Sequence, residues 1–140
     1  MSDLSDVNEF NRGIIEQFRA NEGKVGPPFE GAPLLILHST GAKSGKTRLA
    51  PIVYQQVDDS WAVFASKAGA PDNPDWYHNL VANPSATIEL GTEEVAVTAR
   101  VLEGDEREAV WSKQKELMPG FAEYEEKTDR VIPVIVLDRA

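Results

Sequence analysis

Apolar positions change period along the chain, and each change predicts an element. Over residues 7–20, Phe10, Ile14, Ile15 and Phe18 recur at helical spacing with Asn and Glu between them, which predicts an amphipathic helix. Residues 23–33 are rich in Gly and Pro and read as a connection. Leu34-Leu35-Ile36-Leu37 is a continuous apolar run, read as a strand entering a turn at His38-Ser39-Thr40-Gly41. Residues 49–57 and 61–66 are β-prone runs joined by Asp58-Asp59-Ser60, a hairpin pattern. Residues 86–90 and 95–102 are strand-like on either side of Gly91. In the second of these, Val95, Val97, Ala99 and Val101 form one apolar face, and the other is only partly polar. Helices are expected over residues 105–117 and 121–127. Residues 132–137 are β-branched and strand-like despite Pro133 near the start.

Helices thus fall at the ends and between strands, while hairpin-type connections dominate the middle. That order predicts an α+β fold with a mostly antiparallel sheet curled into a barrel. It argues against a Rossmann fold, whose strands alternate with long crossover helices. No repeat or linker divides the chain. One domain is expected over residues 1–140, with the N-terminal helix and connection in 1–28 and the barrel in 29–140.

The chain has no cysteine, so disulfides, thiolate zinc sites, iron–sulfur clusters and thiol redox chemistry are excluded. Any redox activity must come from an organic cofactor or from a metal held by other ligands. The polar, acidic start lacks an apolar signal core, and no apolar run approaches the roughly 20 residues that span a bilayer. A soluble cytoplasmic protein is expected. Fourteen Lys and Arg against 23 Asp and Glu give a net charge of −9, which repels nucleic acid and anionic lipid unless the positives are concentrated. The polar face of the first helix is mixed in charge, so no stable membrane association is expected.

The positives are concentrated. Lys43, Lys46 and Arg48 fall within six positions that contain no acid, with Gly41 and Gly45 to turn the backbone and Ser39, Thr40, Ser44 and Thr47 to donate. This is the chemistry of an anion cradle. Gly45-Lys46-Thr47 imitates a P-loop, but Thr40 stands where that motif requires glycine, and a strand rather than a long helix follows. Taken alone, the segment reads equally well as a solvated basic hairpin loop.

A second small, donor-rich turn, Ser66-Lys67-Ala68-Gly69, closes the hairpin's second strand. Asn73 and Pro74 then read as the cap and first position of a short helix that carries Trp76, Tyr77 and Leu80 and ends near Asn83-Pro84. The simpler role for Trp76 is packing that helix onto the barrel; stacking on a cofactor is the other. His38 and His78 have no companions at ligand spacing, so a histidine-rich metal site is not expected.

Together the blocks Leu35 to Pro51 (LILHSTGAKSGKTRLAP), Phe64 to Leu80 (FASKAGAPDNPDWYHNL), Ala82-Asn83-Pro84 and Thr128-Asp129-Arg130-Val131-Ile132-Pro133 resemble the deazaflavin-dependent nitroreductase family of actinobacteria. These are F-420-dependent reductases of the split β-barrel superfamily. The likeness runs over residues 29–137, with the blocks in order and at matching spacing.

The resemblance implies a split β-barrel with coenzyme F-420 in a groove. Lys43, Ser44, Lys46 and Arg48 would meet its phosphate and oligoglutamate tail, and Pro51 would shape the pocket edge. Ser66, Lys67, Ala68 and Gly69 would present donors to the ring and nearby phosphate, and Trp76 and Tyr77 would support the pocket. The chain departs from the family at two positions near the acceptor, where Phe121 and Val53 stand in places that can hold tyrosines.

The implied reaction passes a hydride from the reduced deazaflavin to a small electron-poor acceptor, namely a quinone, enone or nitroaromatic. Tyr124 is the candidate proton donor, and Lys67 could stabilise charge on the reduced ring. The enzyme is expected as a monomer or dimer. The rival readings are FMN on the same barrel, a non-catalytic deazaflavin carrier, and a generic interaction domain.

Overall fold

Strands that are apolar on both faces need a layer on each side, and the fold supplies both. The computed structural model describes residues 9–26, 31–69 and 72–140. In chain order these form α1 (Glu9–Ala20), β1 (Leu34–Thr40), β2 (Thr47–Val57) and β3 (Ser60–Phe64), then a 3-10 turn at Lys67–Gly69 and α2 (Asp75–Ala82). β4 (Ser85–Leu90), β5 (Glu93–Val101), α3 (Gly104–Leu117), α4 (Gly120–Lys127) and β6 (Val134–Arg139) follow.

The six strands close into a barrel in the order β1-β2-β3-β6-β5-β4, and every neighbouring pair is antiparallel. β4 returns to β1 through Ile36 opposite Glu89 and His38 opposite Thr87. Alternation along each strand sorts its side chains between two environments. Leu35 and Leu37 of β1, Trp61 and Val63 of β3, and Ile135 and Leu137 of β6 fill the interior. Their neighbours Leu34 and Ile36 turn outward under Ile14, Ile15 and Phe18 of α1. Ala62, Phe64, Val134 and Val136 turn outward under Trp111 of α3 and Phe121 of α4.

The expected split-barrel architecture is therefore present, with differences at element ends. β1 runs on to Thr40, because His38, Ser39 and Thr40 pair with Leu49, Arg48 and Thr47; the expected turn begins only at Gly41. β3 stops at Phe64 and β6 begins at Val134, both inside the expected runs. On the first helix, Val7 and Asn8 lie outside the described residues. Phe10, one turn before Ile14 in the first turn of the helix, is 57% exposed, whereas Ile14, Ile15 and Phe18 are buried. Val101, expected on the apolar face of β5, is exposed at the strand's end, whereas Leu102 on the opposite face is buried. No helix among the described residues is long and apolar enough to cross a membrane.

Candidate functional site

The cationic loop is a tight turn between β1 and β2. The Gly41 amide donates to the Lys46 carbonyl at 2.8 Å, and the Gly45 amide donates to the Gly41 carbonyl at 3.0 Å. Gly45 has φ +71°, a left-handed conformation that glycine adopts without strain. At Gly41 space is short, since a Cβ there would lie 2.5 Å from Ser44 Oγ, which would have to turn away, and 3.3 Å from the Lys46 carbonyl. So compact a turn leaves Lys43, Ser44 and Lys46 exposed at its tip. Arg48 lies on β2 opposite Ser39, and its Nη2 reaches Ser44 Oγ at 3.5 Å.

Facing this turn is α2. Asn79 is buried on it, and its Oδ1 accepts the Ala42 amide at 2.9 Å while its Nδ2 donates to Ser39 Oγ at 3.3 Å. Asn83 Nδ2 adds a longer bond to the Thr40 carbonyl at 3.4 Å. Trp76 packs on the barrel interior and also lines the cavity between helix and turn, so the packing role and the cavity role coincide in one side chain. The cavity is an open groove of about 820 Å³ reaching Asn11 on α1. Lys43, Ser44, Arg48 and Trp76 of the expected cofactor residues line it, as do Asp75 and His78.

The remaining candidates are placed elsewhere. Lys46 stands on the same turn without lining the groove, and Pro51 is buried opposite Ile36. Tyr77 packs on the barrel interior, with its ring 5.5 Å from that of His78. Ser66, Lys67 and Gly69 form a separate turn against α4. Ser66 is buried, and Lys67 is held at φ +46° with Nζ 3.5 Å from Asp72. Gly69 has φ +82°, and a Cβ there would lie 2.8 Å from Lys127 Cβ and 2.9 Å from the Tyr124 carbonyl. The backbone of Ala68 belongs to this turn, while Ala70 and Pro71 lie outside the described residues. Tyr124 borders the turn from α4, its ring edge-on to Phe121 at 5.3 Å. Phe121 is itself buried against Phe64 and Trp111, and Val53 packs beneath α1.

The expected cap of α2 is corrected. Pro74 occupies the cap position with no side-chain cap bond, and Asn73 Oδ1 instead accepts from Arg130 Nη1 at 2.7 Å. A guanidinium 57 residues further along the chain outcompetes the local amides for that oxygen.

A charged cluster fixes α1 beside the groove. Arg19 of α1 grips Glu89 of β4 with two bonds of 3.0 and 2.8 Å, and His38 Nε2 lies 2.5 Å from the same carboxylate. Burial pushes the Glu89 carboxyl up, but the bonds to Arg19 and His38 outweigh it and hold the group below the usual carboxylate value.

The groove thus combines two cationic side chains, serine hydroxyls and an aromatic surface, in a volume typical of pockets that take drug-sized ligands. That donor set fits a ligand that is both polyanionic and planar, as F-420 is.

Comparison with known proteins agrees. Residues 10–139 match the model of the F420H(2)-dependent quinone reductase family. An F420H(2)-dependent quinone reductase of Mycobacterium tuberculosis is 36% identical over 126 residues, covering 87% of this chain and 85% of the relative. A solved F420-H2 dependent reductase, FDR-A, superposes with a TM-score of 0.70 at 43% identity, covering 76% of this chain and 94% of that one. Another solved structure, described as a domain-swapped dimer, matches with the same TM-score and identity and covers 76% of this chain and 80% of that one. The chain belongs to the F420H(2)-dependent quinone reductase family, oxidoreductases whose coenzyme is F-420.

Proposed function

We propose that this protein passes a hydride from reduced F-420 to a small electron-poor acceptor of the quinone class, with enones and nitroaromatics as further acceptors. The observation that carries this reading is the groove in which Lys43, Ser44 and Arg48 face Trp76. Lys43 and Arg48 would hold the coenzyme's phosphate and oligoglutamate tail, with Ser44 donating beside them and Lys46 adding charge from the turn. Trp76 would lie along the ring system, with Tyr77 bracing it from behind and Pro51 stiffening the strand below. Ser66, Lys67, Ala68 and Gly69 would close the site from the second turn, with donors for the ring and the phosphate next to it.

When bound, the reduced coenzyme supplies the hydride; the protein's share is orientation, charge and exclusion of water. Lys67 would stabilise negative charge beside the ring, and Tyr124 on α4 is the proton donor in this reading. Phe121 is committed to the apolar layer around Phe64 and Trp111, which leaves Tyr124 as the hydroxyl of that helix. The protein acts in the cytoplasm as one domain, without nucleic acid and without stable membrane association. It is a monomer or a dimer, and the domain-swapped relative favours the second.

The test is a titration with F-420 and with FMN, followed by intrinsic tryptophan fluorescence, and then turnover of F-420H2 with a naphthoquinone. Tight F-420 binding that weakens in salt, poor FMN binding and steady turnover support the reading. Tight binding without turnover on quinones, enones or nitro compounds makes the protein a carrier, and a preference for FMN moves it to the flavin-binding branch of the fold.

A further inference from the structure

Arg130 stands in the connection between α4 and β6 and is not among the residues that line the groove. Its guanidinium instead gathers acceptors from two distant segments. Nη1 donates to the Ala65 carbonyl at 3.0 Å and to Asn73 Oδ1 at 2.7 Å, and Nη2 donates to the Ser66 carbonyl at 2.9 Å. Ala65 and Ser66 lead into the second turn, and Asn73 immediately precedes the Pro74 cap of α2. One planar cation therefore ties the second donor turn to the helix that carries Trp76 and Asn79.

We infer that Arg130 is a positioning residue for coenzyme binding: it fixes the Ser66–Gly69 turn relative to α2 and leaves that turn with donors as its outward chemistry. This rests on the proposed role of the second turn. The physical case has three parts. A guanidinium is the side chain able to serve several acceptors in fixed planar geometry, which lysine's single ammonium cannot reproduce. The Ser66 carbonyl also accepts the Gly69 amide at 2.9 Å, so the turn's own bond and the Arg130 bond share one oxygen. With the Ala65 and Ser66 carbonyls bound to a cation, their negative dipole ends no longer repel an anion, and the half-exposed Lys67 ammonium, 3.5 Å from Asp72, is the turn's cation. The opposite side of the turn is held by α4, where Gly69 admits no side chain beside Lys127 and Tyr124.

The test compares wild type with Arg130→Lys, reading three quantities: affinity for oxidised F-420, affinity for inorganic tripolyphosphate, and the thermal midpoint without ligand. Tripolyphosphate probes the charge of the cationic turn with no ring for the second turn to hold. Arg130→Lys is expected to weaken F-420 about tenfold, because charge is kept while at least one charge-assisted bond is lost. Tripolyphosphate affinity should stay unchanged. Unaltered F-420 affinity overturns the inference, and so does an equal fall for both ligands, which would mark general damage. Should Arg130→Lys fail to fold, Asn73→Ala removes one acceptor and leaves the cation in place. A several-fold loss of F-420 affinity then supports the role, and no loss overturns it. Wild-type protein that binds tripolyphosphate but not F-420 sinks the coenzyme reading itself, and the inference with it, before any variant is compared.

Discussion

Asn79 Oδ1 accepts the backbone amide of Ala42 at 2.9 Å, across 37 residues of sequence, and by that bond α2 holds the start of the cationic turn. Asn79 Nδ2 donates to Ser39 Oγ at 3.3 Å, so one buried side chain spans the last residues of β1 and the first of the turn. Lys43 follows Ala42 directly, and its place at the groove depends on that anchor.

Asn79→Leu keeps the volume and removes both bonds. The Ala42 amide and the Ser39 hydroxyl lose their partner, which costs about 1–3 kcal/mol of stability. F-420 affinity should fall alongside, roughly tenfold, as the turn loses its fixed shape. Urea unfolding and a fluorescence titration on the same preparation check the two effects separately.

Lys43→Ala and Arg48→Ala address charge rather than shape. Each should weaken F-420 binding by roughly three- to tenfold at low salt, and the double variant should flatten the salt dependence. Lys43→Ala should leave the fold unaffected, since Lys43 is on an exposed tip. Binding measured at several ionic strengths reports the result; an unchanged salt slope in the double variant would place the coenzyme's tail elsewhere.

Tyr124→Phe separates proton supply from binding. In the proposed reading F-420 affinity holds, while turnover of a quinone drops by roughly 100-fold or more. Equal loss of affinity and turnover would instead make Tyr124 a packing residue beside Gly69 and Phe121.

Glu89 gives a pH prediction with a definite sign. Its carboxyl titrates below the usual carboxylate value in the folded protein, so its contribution to stability is fully present above about pH 4.5, the ordinary value. That contribution is lost as pH falls further, through the lowered folded value. Glu89→Gln should therefore lower the urea midpoint at pH 7, with the gap to wild type closing in acid. Paired unfolding curves between pH 7 and pH 3 test this.

How far the sequence reveals such anchors depends on how local their cause is. The strands were legible because their apolar runs serve two buried layers at once, as Leu34 to Leu37 does between α1 and the barrel interior. The cationic turn was legible because it is continuous in sequence. Misreadings arose where a distant partner overrides a local signal. His38-Ser39-Thr40 has turn composition, yet pairing with Thr47, Arg48 and Leu49 keeps it extended. Asn73 has the signature of a cap, yet Arg130 takes its oxygen. Asn79 lies in the matching block Phe64 to Leu80, but nothing local pointed to its role, since an Asn inside a short helix acquires its partners only when β1 folds against it. Arg130 was visible as part of a matching block, but nothing near it in sequence announced the carbonyls it binds.

β6 lies between β3 and β5 in the barrel wall, although it is the final strand in the chain order. Until it docks, both of its neighbours present an unpaired edge, and Trp61, Val63 and Val97 lack their cover. Barrel completion is thus a long-range event, of the kind that sets slow folding rates. Arg130 precedes β6 by only a few residues and reaches back to Ala65 and Ser66 beside β3. Ligand grip should therefore appear late in refolding, in the same kinetic step that seals the wall, rather than when the two turns first form.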